Sequence, residues 1–140
     1  MRLLKRLILA LMLMAALAVG YLWIVFASPY GYSPPENPPA ISRQGPHRVF
    51  VYGTLRFGVV RWLVYGRWGD PRPSVLPGYH REGLDIERRR DAEVEGYVLT
   101  VSRDELKRLD RYERLGVRYS RHRLTLASGR DAWVYARIQP

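Results

Sequence analysis

Residues 49–55 read Val49-Phe50-Val51-Tyr52-Gly53-Thr54-Leu55, a β-rich run that meets a glycine after four residues. Its β-branched and aromatic side chains predict a buried strand. Gly53 at the carboxyl end predicts a tight loop, because glycine adopts backbone angles that other residues avoid. Backbone N–H groups in such a loop can converge on one point and bind an anion or an oxyanion. An ordinary turn has the same local pattern, so both interpretations stay open here.

The middle of the domain is predicted from hydrophobic spacing. Valines and a leucine recur at helical spacing over residues 59–64, which predicts a short helix interrupted by Gly66. Beyond it, we expect a strand near Leu84 and a loop through the three arginines of residues 88–90. Residues 94–101 are expected to form a further strand.

A capping box marks the start of the second helix. Ser102 followed by Glu105 has this signature, which predicts a helix over residues 103–114. Residues 119–126 and 132–138 then alternate between apolar and polar side chains and are separated by a turn, which predicts a β-hairpin. The order strand, helix, strands, helix, hairpin predicts an α+β fold with a small mixed, barrel-like sheet flanked by helices.

Two carboxylates fall on the apolar face of this second helix. A helical wheel places Asp110 and Glu113 beside Leu106. Burial of an ionised carboxylate without a partner costs several kcal/mol, so each carboxylate requires either a partner or a use. Glu113 therefore has two interpretations: it forms an ion pair with an arginine of the hairpin, Arg121 or Arg123, or it takes part in chemistry.

The N-terminal region is different in character. Residues 7–27 are apolar and uncharged, and as a helix they would rise about 30 Å, the thickness of the hydrocarbon core of a bilayer. Arg2, Lys5 and Arg6 precede the run, so the positive-inside rule places the N-terminus in the cytoplasm. A cleaved signal peptide is the alternative, because small residues lie near Ala27. Both interpretations place the domain outside the cytoplasm.

Three parts of the chain are therefore expected. Residues 1–27 are a single-pass anchor in the inner or plasma membrane or an uncleaved signal, and residues 28–46 are a Pro-rich extended spacer. Residues 47–140 are a small folded domain, expected in the periplasm or its equivalent.

Composition excludes several classes of function. The chain has no cysteine, which removes disulfides, thiolate nucleophiles and cysteine-ligated metals. His47, His80 and His122 lack metal-ligand spacing, and no phosphate loop or dinucleotide motif is present, so we expect neither a metal nor a cofactor. The net charge of +10 favours anionic partners, or it reflects an arginine-preferring genome. A membrane-anchored domain makes nucleic acid an unsuitable partner.

Three segments of the domain resemble the gamma-glutamylcyclotransferase superfamily, particularly its gamma-glutamylamine cyclotransferase-like branch. They are residues 49–56, Leu76-Pro77-Gly78-Tyr79, and Leu109-Asp110-Arg111-Tyr112-Glu113 followed by residues 119–121. The resemblance covers residues 48–136, nearly the whole expected domain. It implies a small mixed barrel flanked by helices, in agreement with the order of elements.

The resemblance also implies an activity and a site. The enzymes of this family release 5-oxoproline from a γ-glutamyl amine or peptide without a cofactor. The general base would be Glu113, and the substrate would be bound by Tyr52, Gly53, Thr54, Leu55 and Tyr119.

Two departures from the family pattern border the implied site. The family commonly has glycine directly after the catalytic glutamate, and Arg114 occupies that position here. Residues 88–90 are arginines where many relatives have a proline-containing loop. Two alternatives to an enzyme remain: a membrane-anchored, non-catalytic module that binds γ-glutamyl-like or anionic envelope ligands, and a purely structural envelope protein.

Overall fold

The first helix, α1, covers Arg2–Phe26, and its side chains are almost all exposed. Its mean hydropathy is 2.5 over an 18-residue window, so it is long and apolar enough to cross a membrane; a signal sequence has the same properties. The computed structural model describes residues 1–139 and divides into two compact units, residues 1–33, which contain α1, and residues 34–140.

Over its described residues, 34–139, the second unit contains two helices, one turn of 3-10 helix and five strands. In chain order they are β1 (His47–Val51), the 3-10 turn (Thr54–Arg56), α2 (Gly58–Tyr65), β2 (Arg72–Glu82), β3 (Asp85–Val101), α3 (Arg103–Tyr112), β4 (Tyr119–Thr125) and β5 (Asp131–Arg137).

The five strands form one mixed sheet in the order β2-β3-β1-β5-β4. β1 is central: it pairs antiparallel with β3 and parallel with β5, whereas the two hairpins β2–β3 and β4–β5 are antiparallel. The predicted α+β class and mixed sheet are confirmed, and the sheet curls into a half-barrel.

The core lies on β1 and its neighbours. Phe50, Leu76 and Val134 are essentially unexposed and belong to one hydrophobic cluster, and Leu106 and Leu109 of α3 are completely buried. The sheet allows no side chain at Gly96, because a Cβ atom there would lie 2.4 Å from the carbonyl oxygen of Val51.

The middle of the domain differs from the sequence prediction. The expected strand near Leu84 is wrong, because this residue lies in the turn between β2 and β3, and the expected loop over residues 88–90 is part of β3. The arginines are exposed, so their strand lacks the apolar alternation that would have revealed it. β2 is an edge strand, which tolerates the prolines at positions 73 and 77.

α3 begins where its sequence predicts, and α2 covers the residues 59–64 that were expected to be helical. The capping box of α3 is present, with reciprocal bonds between Ser102 and Glu105. α2 ends where Gly66 adopts the left-handed conformation, at φ 75°. α3 ends at Tyr112, two residues earlier than predicted, which makes Glu113 its C-cap.

Candidate active site

The exit of β1 provides a group of backbone donors. Gly53 leaves the strand, and Thr54 and Leu55 begin the 3-10 turn, whose first N–H groups have no partner within the turn. Within residues 1–139, the backbone N–H groups of these three residues donate no hydrogen bond to the protein. Leu55 is buried as a whole residue, so its backbone N–H lies inside the domain.

A buried arginine holds this turn in place. Arg61 of α2 is 5% exposed, and its guanidinium donates to the carbonyl oxygens of Leu55 at 3.0 Å, Arg56 at 2.7 Å and Trp68 at 2.6 Å. Two of these bonds fix the backbone of the turn, and the third joins the same guanidinium to the loop after α2. Arg61 is not among the residues predicted from the sequence, although it shares the helix face of the buried Val64 and Tyr65. A cation among apolar helix positions is a usable signal of a buried, bonded arginine.

The end of α3 meets the same turn. The hydroxyl groups of Thr54 and Tyr112 are 2.7 Å apart, which joins the turn to the last residue of α3. Glu113 follows directly, and its backbone N–H donates to the carbonyl oxygen of Leu109 at 2.9 Å. The helix end thus places the carboxylate beside the exit of β1.

Glu113 is partly buried and has no ion-pair partner within residues 1–139. Burial raises the pKa of its carboxyl group to about 7, and the positive charge of Arg118 opposes this rise only in part. No side chain among residues 1–139 forms a hydrogen bond or an ion pair with this carboxylate. A carboxyl group with these properties can exchange a proton near neutral pH.

Asp110, and not Glu113, holds the hairpin arginine. Nε and Nη2 of Arg121 bind the two carboxylate oxygens of Asp110 at 2.8 and 3.2 Å, and the hydroxyl of Tyr135 donates to the same carboxylate. Arg123 lies 3.6 Å from Asp131. The interpretation of Glu113 as the partner of either arginine is therefore wrong, because both are used elsewhere.

The turn between β2 and β3 lies next to Gly53 and Tyr119. The hydroxyl of Tyr119 donates to the carbonyl oxygen of Leu84 at 3.0 Å, and a Cβ atom on Gly53 would lie 3.7 Å from the Leu84 side chain. The carboxylate of Asp85 accepts from the backbone N–H of Arg137 at 2.9 Å. The sequence did not indicate this turn, because a strand was expected near Leu84.

The negative charge of Glu113 acts on three tyrosines of the domain. Burial raises the pKa of Tyr52, Tyr119 and Tyr135, and the charge of Glu113 raises each of them further. The hydroxyl of Tyr52 donates to the carbonyl oxygen of Tyr135 at 2.6 Å. All three phenols therefore remain neutral at physiological pH, and each donates its single O–H within the protein.

The predicted site residues come from three elements that the fold brings to one region. They are Tyr52, Gly53, Thr54 and Leu55 after β1, Glu113 at the end of α3, and Tyr119 at the start of β4. No group of three or more histidine, aspartate or glutamate side chains among residues 1–139 is placed to hold a metal ion.

The domain is a curled half-barrel of mixed strands. Its candidate site combines an isolated carboxylate with a turn of backbone N–H donors. Residues 49–140 match the family described as gamma-glutamyl cyclotransferase, AIG2-like, and the chain belongs to this family. Membership indicates an enzyme of the cyclotransferase type.

Solved structures share the fold. A protein from Arabidopsis thaliana with a solution structure is 30% identical with a TM-score of 0.58; the match covers 71% of this chain and 66% of that protein, just under two thirds of its length. A second Arabidopsis thaliana protein is 27% identical with a TM-score of 0.59, over 70% of this chain and 72% of its own. A structure named gamma-glutamyl cyclotransferase has a TM-score of 0.54 over 68% of each chain, but at 15% identity it shows the fold alone. No curated protein sequence matches the chain closely enough to indicate a relationship.

Proposed function

We propose that the domain is a γ-glutamyl cyclotransferase that releases 5-oxoproline from a γ-glutamyl amine or peptide, with Glu113 as the general base. The observation that carries this proposal is the isolation of Glu113: burial raises its pKa to about 7, and no cation in the described part of the chain is bonded to it. A general base works best when its pKa lies near the working pH. Family membership supports the same type of reaction.

The reaction joins two ends of one substrate. The α-ammonium group loses a proton to Glu113, its nitrogen attacks the γ-carbonyl carbon, and the bond from that carbon to the departing amine breaks. The two protons that the α-nitrogen loses end on the departing amine, so Glu113 is regenerated as a carboxylate and no cofactor is consumed. Because nucleophile and electrophile belong to one molecule, the enzyme chiefly holds the reactive conformer.

The turn after β1 would bind the negative charge of the substrate. The backbone N–H groups of Gly53, Thr54 and Leu55 make no hydrogen bond within residues 1–139, so they are available to the substrate α-carboxylate or to the oxyanion of the tetrahedral intermediate. Tyr52 and Tyr119 would line the space around the γ-glutamyl group, since both are close enough to Glu113 for its charge to act on them.

We further propose that α1 anchors this domain on the outer side of the inner or plasma membrane. The length and hydropathy of α1 and the cations that precede its apolar run support this arrangement. Protease digestion of intact spheroplasts tests the topology: cleavage of the domain without lysis is expected. Protection of the domain until lysis would place it in the cytoplasm.

The activity test uses the full chain purified in detergent and a panel of γ-glutamyl amines and peptides, with 5-oxoproline as the measured product. Glu113→Gln should lower kcat by at least about 10²-fold, the usual contribution of a general base. Glu87→Gln, which changes an exposed carboxylate of β3, is the matched control and should keep full activity. Binding of substrates without product would instead favour the non-catalytic binding module.

A further inference from the structure

The outward face of α2 and the chain on either side of it carry large apolar side chains. Val59, Trp62 and Leu63 are at positions i, i+3 and i+4, so they share one face of the helix. They are 56%, 51% and 40% exposed, and Phe57 before the helix and Trp68 after it are each 59% exposed. These five residues are called the α2 apolar patch.

Trp68 is held against the start of α2. A Cβ atom on Gly58 would clash with the indole ring of Trp68, so the ring lies over this glycine. Phe57 and Val59 flank the same glycine in the chain. The carbonyl oxygen of Trp68 accepts a hydrogen bond from the buried Arg61 at 2.6 Å. The patch is therefore a continuous surface that the packed part of the domain keeps in place.

The composition of the patch fits a membrane surface. A continuous patch of exposed apolar side chains marks a surface that binds a partner. This patch contains two tryptophans, and tryptophan is enriched at the boundary between a bilayer and water, where its ring contacts acyl chains and its N–H faces the headgroups. Helices that lie in this boundary combine an apolar face with nearby cations.

A cleft rich in arginine provides such cations. It has a volume of about 670 Å³, and its charged lining residues are Arg43, Arg67, Asp70, Arg72, Arg103 and Glu105. Each of the two carboxylates is paired with an arginine of the same cleft, at 2.9 and 3.4 Å. Arg43 and Arg103 form no ion pair within residues 1–139, so two positive charges of this basic cleft are unbalanced.

The basic cleft and the α2 apolar patch meet in the loop after α2. Arg67 lines the cleft, and the next residue, Trp68, belongs to the patch. At the other end of the patch, the guanidinium of Arg56 lies 5.8 Å from the centre of the Phe57 ring. Apolar side chains bordered by guanidinium groups fit a bilayer with anionic lipids, because the former enter the acyl boundary and the latter bind phosphate.

A second copy of the chain fits the same surface less well. A two-fold interface brings the same residues of both copies together, so the arginines that border the patch would face arginines. Like charges repel across such an interface, and the formal net charge of +10 adds to the repulsion. An anionic lipid surface has the opposite sign and attracts the same arginines.

The chain between α1 and the second unit is short. α1 ends at Phe26 and the second unit begins at Pro34, and the residues between them span at most about 30 Å when fully extended. An α1 that is inserted in a bilayer, as proposed above, therefore keeps the domain close to that bilayer. Docking then takes place within one molecule, at a high effective concentration of lipid.

We propose that the α2 apolar patch docks into the interface of a phospholipid bilayer that contains anionic lipids, and that the basic cleft binds the lipid phosphates. This inference goes beyond the proposed activity, and it rests on the proposed insertion of α1 only for the proximity of the bilayer. The domain then has a second contact with the membrane besides its anchor, and this contact fixes its orientation.

The absence of cysteine from the chain allows a single spin label at a chosen position. Leu63→Cys places a nitroxide in the patch, and Val117→Cys places one on an exposed apolar residue outside both the patch and the cleft. The full chain is reconstituted in vesicles of phosphatidylcholine alone or of phosphatidylcholine and phosphatidylglycerol in equal parts. Collision of the label with oxygen, which dissolves in the acyl region, is compared with its collision with a water-soluble nickel chelate.

In the mixed vesicles the Leu63 label should collide more with oxygen than with nickel, whereas the Val117 label should remain accessible to nickel in both lipids. The ratio of docked to undocked label at Leu63 should be at least about 10-fold higher with phosphatidylglycerol, since each arginine near an anionic surface contributes about 5-fold. Arg43→Gln/Arg103→Gln, at two exposed positions, should remove most of that difference. Val59→Cys repeats the measurement one helical turn earlier, which guards against a local effect of Leu63→Cys.

A Leu63 label that stays accessible to nickel in the mixed vesicles would overturn the docking proposal. Protection from both reagents in detergent as well as in vesicles, with spin–spin broadening between copies, would show that a second copy covers the patch and would overturn it too. Equal insertion in both kinds of vesicle would overturn the role of the basic cleft. None of these measurements uses 5-oxoproline release, so failure here is distinct from failure of the proposed cyclotransferase.

Discussion

Asp110 and Glu113 lie one helical turn apart at the end of α3, and of these two carboxylates Arg121 binds that of Asp110, at 2.8 and 3.2 Å. The bidentate pair leaves Glu113 without a cation bonded to it, and burial then raises its pKa to about 7. Two carboxylates on one helix face therefore have different environments and different roles: one joins α3 to the hairpin, and the other is suited to proton transfer.

The activity should depend on the ionisation of Glu113. Because a general base must be unprotonated to accept a proton, kcat/KM should rise with pH and level off above an inflection near the pKa of about 7. The rate of 5-oxoproline release measured from pH 5 to pH 9 gives this profile. In Glu113→Gln the residual rate should lack that inflection. An unchanged inflection in the variant would mean that a group other than Glu113 causes the pH dependence.

The same carboxyl group should lower the stability of the protein at neutral and alkaline pH. Its folded pKa of about 7 lies above the reference value of 4.5, so the folded state binds more protons between these values and stability falls as pH rises through this window. The shift corresponds to about 3 kcal/mol once the group is fully ionised. Glu113→Gln should therefore be more stable than the wild type above pH 7 and similar to it near pH 4.

Chemical denaturation at both pH values measures this difference. Glu87→Gln serves as the control, since an exposed carboxylate should show no comparable gain at high pH. A Glu113→Gln variant that is less stable than the wild type at pH 8 would mean that the carboxylate has a stabilising partner. Loss of activity together with gain of stability is the pattern expected of a residue kept for function.

The Asp110–Arg121 pair should stabilise the fold. The Arg121 side chain is unexposed, so Arg121→Met leaves the Asp110 carboxylate buried without its cation, at a cost of about 3–5 kcal/mol. In Arg121→Met/Asp110→Asn the uncompensated charge is removed as well, so the double variant should be less destabilised than the sum of the two single variants. Urea unfolding of the four proteins measures this coupling. Additive losses would show that the two side chains act independently.

The sequence predicted the capped helix and the final hairpin because their signals are local. The capping box of α3 requires only Ser102 and Glu105, and alternation over β4 and β5 places one face on the core. The β2–β3 hairpin lacked such a signal. Prolines interrupt the pattern of β2, and residues 87–91 of β3 are exposed without apolar alternation, so this part resembled a loop.

The sequence indicated the residues of the site, but it did not indicate which of the two carboxylates of α3 binds Arg121. A helical wheel placed Asp110 and Glu113 on one face, and spacing along α3 gives no indication of which of them meets Arg121. That choice depends on the register of β4 against β5, where Arg121 lies opposite Tyr135, whose hydroxyl also binds Asp110. Long-range register decides the partner, and a single sequence does not encode it in any local pattern.

Arg61 should position the turn after β1 without taking part in proton transfer. Its guanidinium binds three carbonyl oxygens, two of them in the 3-10 turn, so Arg61→Met leaves buried acceptors unsatisfied at a cost of about 1–3 kcal/mol each. The N–H groups of the turn would then lose their fixed geometry, and KM for γ-glutamyl substrates should rise more than kcat falls. Because Arg61 does not contact Glu113, the inflection of the pH profile should stay near 7.

The control for Arg61→Met is Arg72→Met, which removes an arginine whose side chain is 81% exposed. The assays run at a temperature where circular dichroism shows both variants to be folded, which separates lost positioning from unfolding. Arg61→Lys should recover part of the affinity, because an ammonium group still donates to carbonyl oxygens but lacks the planar arrangement of donors that spans three of them. A shifted inflection in Arg61→Met would mean that this residue acts on the general base itself, and an unchanged KM would mean that the turn keeps its shape without it.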